Sequence, residues 1–66
     1  MPMLTRSGTR ATVDSIMRAA TPTGRKRRAK RFASEVFRAI ETGRCSDVKY
    51  TIHEVLKLWR RVGLVR

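Results

Sequence analysis

Apolar residues recur at helical spacing in three stretches of this chain. The first stretch has apolar residues three and four positions apart, at Val13, Ile16, Met17 and Ala20. This spacing predicts a short amphipathic helix over residues 12–20, with Thr12 as its N-cap. The residues before Thr12 show no such period and include Pro2 and Gly8, so residues 1–11 are predicted to form a flexible arm.

The second stretch predicts the longest helix. Residues 21–24 read Thr-Pro-Thr-Gly and interrupt the period, because proline lacks an amide hydrogen and glycine is a poor helix former. Beyond them, one helical face is apolar and comprises Ala29, Phe32, Ala33, Val36, Phe37 and Ile40. This face predicts a helix over residues 25–42, with Phe32 and Phe37 in the core and Gly43 as the C-terminal cap.

The third stretch predicts a helix over residues 48–62 that ends at Gly63. Its apolar face comprises Ile52, Val55, Leu56, Trp59 and Val62. Trp59, the only tryptophan, is expected in the core because it lies on this face.

Two starts of the third helix are consistent with the sequence. Thr51 and Glu54 have the spacing of a capping box. An N-cap at Ser46 or Asp47 would instead include Val48, which lies on the same apolar face. The sequence leaves this choice open.

Together these patterns predict a small all-α protein. No stretch of useful length shows the alternation of polar and apolar residues that is typical of a strand. With 66 residues the core is expected to be thin, because a chain of this size buries only about 60% of its unfolded surface. The predicted organisation is the arm at 1–11, followed by one three-helix domain at 12–66.

The charge of the chain points to an anionic partner. There are 16 Lys and Arg against 5 Asp and Glu, a formal net charge of +11. Basic residues concentrate at positions 25–31, which read RKRRAKR, a composition that is also typical of nuclear import signals. Because these cations oppose the positive end of the helix dipole, we expect these turns to become fully helical only against an anion.

Two helix faces bring basic residues together. At about 100° per residue, Arg27, Arg31 and Arg38 project from the second helix opposite its apolar face. On the third helix the cations share a face with Tyr50 and His53. Such faces suit phosphates and guanine edges, and two arginines of the arm can add phosphate contacts. The predicted nucleic-acid-binding residues are Arg25, Lys26, Arg27, Arg28, Lys30, Arg31, Arg38, Lys49, Tyr50, His53, Lys57, Arg60 and Arg61.

The last part of the chain has a distinctive set of residues, Ile52, Leu56, Trp59, Gly63, Leu64, Val65 and Arg66. This set resembles the recognition helix of winged-helix and helix-turn-helix DNA-binding domains, which implies that the three-helix domain is helix-turn-helix-like. Ala39, Gly43 and Ile52 are also spaced like the alanine, turn glycine and apolar anchor of a helix-turn-helix. Thr42 and Lys49 depart from that pattern, since apolar residues are expected there. The second helix is also longer than is usual in that family, and the sequence ends before a wing, so a full winged helix is not expected.

This resemblance implies that Lys49, Tyr50, His53 and Lys57 face the major groove of DNA as recognition residues. The chain has no Asn and no Gln, the residues that pair bidentately with adenine. Any sequence preference is therefore expected to rest on arginine contacts to guanine or on DNA shape.

Other kinds of site find little support. Catalysis needs a pocket and a tuned pair of groups, and five scattered acids, one histidine and one cysteine do not predict either, so no catalytic residue is assigned. His53 and Cys45 lie too far apart in the sequence to suggest a metal site, and no cofactor is expected. No apolar run approaches the roughly 20 residues of a membrane span.

A protein partner is a further expectation. Leu58 lies beside Val55 and Val62 at the margin of the apolar face of the third helix. This position widens the face beyond what two short helices cover, so a homodimer or another protein is expected to cover these three residues.

These features favour a small DNA-binding protein, acting in transcription or in nucleoid organisation in the cytoplasm, or in the nucleus of a eukaryote. A structural RNA-binding protein, such as a ribosomal or virion component, is one alternative, since arginine-rich helices also bind RNA. The other is an inhibitor or adaptor, for instance of viral origin, whose basic surface docks on an acidic protein.

Overall fold

A computed structural model describes residues 3–65, and over this range the chain forms three α helices. Helix α1 spans Arg6–Met17, α2 spans Pro22–Glu41 and α3 spans Val48–Arg61. Residues 3–65 contain no β strand, and show only an isolated parallel bridge between Leu4 and Cys45. The predicted all-α class with three helices is therefore confirmed.

Helix α1 begins at Arg6, well before the predicted start at residue 12. Thr5 is its N-cap, and the Oγ1 of Thr5 accepts a hydrogen bond from the amide of Gly8 at 3.0 Å. The residue that these early turns bury is Thr9, which is 0% exposed. Threonine is not counted as an apolar residue, so the sequence pattern did not predict the first turns of α1.

The residues preceding α1 are held against the turn between α2 and α3. The amide of Leu4 donates to the carbonyl of Arg44 at 2.7 Å, and the carbonyl of Leu4 accepts from the amide of Ser46 at 2.9 Å. We refer to these two hydrogen bonds as the N-terminal clasp. The clasp and the early start of α1 correct the predicted arm at 1–11, of which residues 1–2 lie outside the described residues.

Helix α2 also begins before its predicted start at residue 25, at Pro22. Thr21 is the N-cap, and its Oγ1 accepts from the amide of Gly24 at 3.0 Å. Proline is favourable at the first helical position because its fixed φ suits a helix and its missing amide hydrogen is not needed there. The Thr-Pro-Thr-Gly sequence therefore starts α2, and α1 stops earlier than predicted, at Met17.

The cationic first turns of α2 are helical, and two contacts hold them in place. The Nε of Arg25 donates to the carbonyl of Ala19 at 3.1 Å. The indole Nε1 of Trp59 donates to the carbonyl of Ala29 at 3.1 Å, and Trp59 packs against the core, as predicted. These contacts anchor the turns within the fold, and the expectation that an anion completes their helicity stays a prediction.

The turn between α2 and α3 is capped at both ends. After α2 ends at Glu41, Gly43 follows with a φ of 69°, a left-handed conformation that glycine adopts at little cost. Asp47 is the N-cap of α3, and its Oδ1 accepts from the amide of Tyr50 at 3.1 Å. Of the two starts that the sequence left open, the structure has the earlier one. Gly63, with a φ of 84°, follows α3 in the same way.

One apolar cluster forms the core, and every helix contributes to it. Its buried members are Val13, Ile16, Ala29, Phe32, Val36 and Leu58. Helix α2 runs antiparallel to α3, because Lys26 near the start of α2 lies beside Gly63 just beyond α3. Consistently, Phe37 near the end of α2 shares a groove with Ile52 in the first turns of α3. Helix α1 packs against both.

Two core predictions are wrong, although Phe32 is buried as predicted. Phe37 is 63% exposed, and Leu58, which was predicted at the margin, is only 1% exposed. The reason is that α3 buries Thr51, Glu54 and Leu58. The buried side of α3 is thus rotated away from its most apolar side. The sequence pattern could not predict this rotation, because Thr51 and Glu54 are polar and do not count toward an apolar face.

The hydroxyl of Thr9 provides a test of this packing. Its Oγ1 is buried and has no hydrogen-bond partner among residues 3–65, and a buried polar group without a partner costs about 1–3 kcal/mol. Thr9→Val keeps the shape and removes the hydroxyl. We expect it to raise the free energy of unfolding by about 1 kcal/mol, measured by urea denaturation followed by circular dichroism.

Thr51→Val is the matched control. Thr51 is also 0% exposed, but its Oγ1 donates to the carbonyl of Asp47 at 2.8 Å and accepts from the thiol of Cys45 at 3.4 Å. Losing these hydrogen bonds should lower the free energy of unfolding by about 1 kcal/mol. If the free energy of unfolding changes in the same direction in both variants, the hydroxyl of Thr9 is not the unpartnered group described above.

Candidate nucleic-acid interface

Helix α3 presents one side to solvent because its opposite side is buried. Thr51 and Leu58 face the core, and at about 100° per residue the positions opposite them are Lys49, His53 and Arg60. All three side chains are exposed. The outer side of α3 is therefore cationic along its whole length.

Arg6 of α1 borders this side near the start of α3. Its guanidinium pairs with the Oδ2 of Asp47, at 2.5 Å from Nη2 and 2.7 Å from Nε. It also lies over the ring of Tyr50, 5.1 Å from the centroid, a cation–π arrangement. These three residues line a shallow depression together with Lys49 and His53. Arg6 and Tyr50 are thus held in fixed positions at the edge of the cationic side.

The carboxyl of Asp47 joins α1 to α3, and this changes its titration. Its pKa is lowered below the ordinary value of 3.8, first by the hydrogen bond from the backbone amide of Tyr50 and then by the hydrogen bond from Arg6, with slight desolvation opposing both. Asp47 therefore stays ionised into the acid range, and it neutralises part of the charge of Arg6.

A second depression continues along the boundary between α1 and α3. Helix α3 lines it with Lys57, Arg61 and the nearly buried Glu54, and α1 lines it with Arg10 and Asp14. The cationic side of α3 thus extends onto α1, with one exposed carboxylate, Asp14, beside it.

The sequence pattern assigns Arg6 and Arg10 to a flexible arm, from which they were expected to add phosphate contacts, and so does not place them on a helix beside α3. In the structure both are exposed on α1, one helical turn apart. The signal that identifies their helix is Thr9 followed by Val13 and Ile16 at helical spacing, all three of them buried. The helical spacing of these three residues is recognised only if threonine is counted among the residues that can be buried.

On the other flank of α3, two exposed lysines of α2 extend the cationic side. The side chain of Lys26 lies beside Gly63. Lys30 follows one turn later, on the same side of α2 as Phe37, which borders α3. We refer to this whole surface as the basic face. Its residues are Arg6, Arg10, Lys26, Lys30, Lys49, Tyr50, His53, Lys57, Arg60 and Arg61.

The remaining predicted residues lie elsewhere on α2. Arg27, Arg31 and Arg38 are exposed on the side of α2 opposite its buried residues. Since α2 and α3 bury their inner sides in one core, their outer sides point in different directions. Arg28 is exposed on the flank of α2 away from α3, and Arg25 is partly buried by its bond to the α1–α2 connection. The predicted residues therefore do not form one surface: most lie on the basic face, Arg27, Arg31 and Arg38 lie on the opposite side of α2, and Arg25 and Arg28 belong to neither group.

The partner surface predicted at Leu58, Val55 and Val62 is not present. Leu58 is buried, and the two valines are partly buried against the core. The exposed large apolar side chains in the middle of α3 are instead Ile52 and Leu56. The cause is the same rotation of α3 that exposes Phe37.

Residues 3–65 also bear on two other kinds of feature, a metal centre and a membrane span. No group of three or more His, Cys, Asp or Glu side chains in this range could hold a metal ion. Nor does any helix in it combine the length and apolar composition that crossing a bilayer requires.

No protein-family model, curated protein sequence or solved structure is significantly similar to this chain. The chemistry of the basic face is therefore the basis on which its function can be inferred.

The environment of Asp47 makes stability depend on pH. Because folding lowers its pKa, the ionised carboxylate contributes stability that is present above pH 3.8 and is lost as the pH falls through the lowered pKa. Asp47→Asn keeps an oxygen for the amide of Tyr50 but has no charge to lose. We expect the native protein to lose more unfolding free energy than this variant between about pH 5 and about pH 2, measured by urea denaturation.

Glu41→Gln is the control, because Glu41 is exposed and forms no ion pair within the described part of the chain. Its pH profile should follow that of the native protein. If the profile of Asp47→Asn also runs parallel to the native one, the carboxylate does not contribute in this way.

Proposed function

We propose that this chain binds nucleic acid, with duplex DNA as the preferred form, through the basic face. The supporting observation is that α1, α2 and α3 all place exposed cations on the side of the molecule where α3 lies. Of the acids beside them, Asp47 is paired with Arg6 and Glu54 is only 8% exposed. Among residues 3–65, two exposed carboxylates lie next to this face, Asp14 on α1 and Glu41 on α2.

Phosphate contacts supply most of the affinity in this proposal. Each Lys or Arg that neutralises a phosphate releases counterions condensed on the DNA, so that binding weakens steeply as salt rises. The cations of α3 stand at the centre of the face, and those of α1 and α2 flank them. In this proposal Arg10 and Lys26 contact the backbone on either side of a groove that α3 occupies.

The dimensions of α3 favour DNA over RNA. It has 14 residues and is about 21 Å long at a rise of 1.5 Å per residue, and an α helix with its side chains is about 10–12 Å in diameter, which suits a major groove about 12 Å wide. Lys49, His53 and Lys57 follow one another at one-turn spacing along it. The major groove of duplex RNA is too deep and narrow for side chains to read, so the same helix would meet RNA only at its backbone.

Readout of bases in this proposal rests on guanine. Lys57, Arg60 and Arg61 can donate to the O6 and N7 of guanine. Adenine would go unread by its usual partners, because the chain has no Asn or Gln. A protein of this kind recognises GC-rich or shape-defined sites with modest selectivity, and this suits a nucleoid protein or an accessory transcription factor.

In this proposal α3 takes the part of the recognition helix of a helix-turn-helix. Its packing differs from that motif, in which the two helices cross at about 90–120°, because α2 and α3 lie alongside each other in opposite directions. Ile52, the apolar anchor of the sequence pattern, is 41% exposed. The proposal therefore depends on the exposed side of α3 and not on the motif.

Two matched double variants test which surface binds. Replacing Arg60 and Arg61 by Ala removes two charges from the basic face. We expect the slope of log affinity against log salt for duplex DNA to become shallower by about 2, since each phosphate contact contributes about 0.9. Fluorescence anisotropy of a labelled duplex, titrated at several salt concentrations, measures this slope.

Replacing Arg27 and Arg31 by Ala removes the same charge from the opposite side of α2. This variant should change the slope by less than about 1, because its arginines point away from the proposed contact. A larger effect here than in the first variant would move the interface to α2. Tighter binding of a duplex RNA of the same length would contradict the preference for DNA.

A further inference from the structure

An apolar groove of about 190 Å³ lies between α2 and α3. Its floor includes the buried side chains of Ala33 and Val36. Phe37 forms its wall on α2, and Ile52, Leu56 and Trp59 line it on α3. The groove follows the outer boundary between the two longest helices, and its described lining is apolar throughout.

The walls of this groove are unusually open to water. Phe37 is 63% exposed, Leu56 54% and Ile52 41%. Single exposed apolar residues are common on protein surfaces, but three large ones that converge on one groove are typical of a surface that another molecule covers. The fold itself does not cover them, because the rotation of α3 places Leu58 in the core instead.

The charges beside the groove indicate the kind of molecule that covers it. Lys30 lies one turn from Ala33 on α2, and Arg60 lies one turn beyond Leu56 on α3. Lys49 lies one turn before Ile52, at the other end. Each is exposed. The edges of the groove are therefore mainly cationic, with the exposed Glu41 one turn beyond Phe37 as the acid on that side.

A second copy of the chain is a poor occupant. It would bring the same lysines and arginines against this rim, and each copy carries a net charge of +11. Like charges brought together at an interface oppose association. A molecule with an apolar stripe and acidic edges would satisfy both the groove and its rim.

We propose that this groove docks an amphipathic α helix of another protein, with its apolar stripe against Phe37, Ile52 and Leu56 and its acidic residues against Lys30, Lys49 and Arg60. The distance from Ile52 to Trp59 is seven residues along α3, or about 10 Å. This matches the apolar anchors at i, i+4 and i+7 through which helices bind grooves. The inference does not depend on DNA binding.

The test uses a synthetic helical peptide of about 18 residues, the length over which an isolated helix begins to be stable. It has Leu at i, i+4 and i+7, Glu on both flanks and no Trp. Trp59, the only tryptophan of the chain, lines the groove, so its emission should shift to the blue as the peptide covers it. Isothermal titration calorimetry gives the affinity and a one-to-one stoichiometry.

Variants of the groove separate docking from general charge attraction. Phe37→Ala and Leu56→Ala should each lower the affinity for the peptide by about tenfold or more, as alanine does at anchor positions of interfaces. Both residues are exposed, so these variants should fold like the native protein, which circular dichroism checks. Met3→Ala is the matched control, since Met3 is 54% exposed but does not line the groove, and it should leave the affinity unchanged.

The rim is tested with charge reversal. The double variant Lys30→Glu, Arg60→Glu should bind the acidic peptide at least about tenfold more weakly than the native protein does. It should bind a second peptide, with Lys in place of Glu, more tightly than the native protein does. A scrambled peptide of the same composition, whose leucines are spread around the helix, should not shift the emission of Trp59.

Three results would overturn the inference. If the scrambled peptide binds as tightly as the amphipathic one, the binding is charge attraction alone. A dimer in analytical ultracentrifugation that Phe37→Ala dissociates would make a second copy the occupant. A loss of DNA affinity in Leu56→Ala as large as that in the Arg60, Arg61 double variant would assign the groove to nucleic acid.

Discussion

Within residues 3–65, Leu58 is the one member of the buried apolar cluster that α3 supplies, and its burial determines how α3 is rotated about its own axis. Thr51 and Glu54 lie on the same side of the helix and are buried with it. The opposite side, which carries cations, then faces solvent. Ile52 and Leu56 are left at the boundary with α2, partly exposed. Both the basic face and the apolar groove follow from this one orientation.

The sequence predicted the existence of three helices because apolar residues recur at helical spacing in each, and Gly43 is a strong local signal for the end of α2. It did not predict the start of α1, since the residue buried there is Thr9. It also misplaced Leu58 for a similar reason, as hydrophobicity alone cannot show that α3 buries threonine and glutamate. Burial of such residues depends on which partners the fold supplies, and Thr51, whose hydroxyl bonds the preceding turn, is an example.

The net charge of the chain led to the expectation of an anionic partner, but it could not predict on which surface the cations lie. Arginines that are adjacent in the sequence have different roles in the structure, because a helix directs them to different sides. Arg25 bonds the α1–α2 connection, Arg27 and Arg31 face away from α3, and Lys26 joins the basic face. Arg6 was assigned to an arm, yet in the structure it contacts both Asp47 and Tyr50 at the edge of the basic face.

The N-terminal clasp has a consequence for the order in which the chain folds. It joins Leu4 to Ser46, which are 42 residues apart, and the entropy lost in closing so long a loop is recovered only once these bonds and the packing behind them are in place. Short connections join α2 to both α1 and α3, so both helix pairs can form before the clasp closes. We expect the segment around Leu4 to be the last part to become ordered and the first to open, with amide hydrogens that exchange with solvent ahead of those in α2.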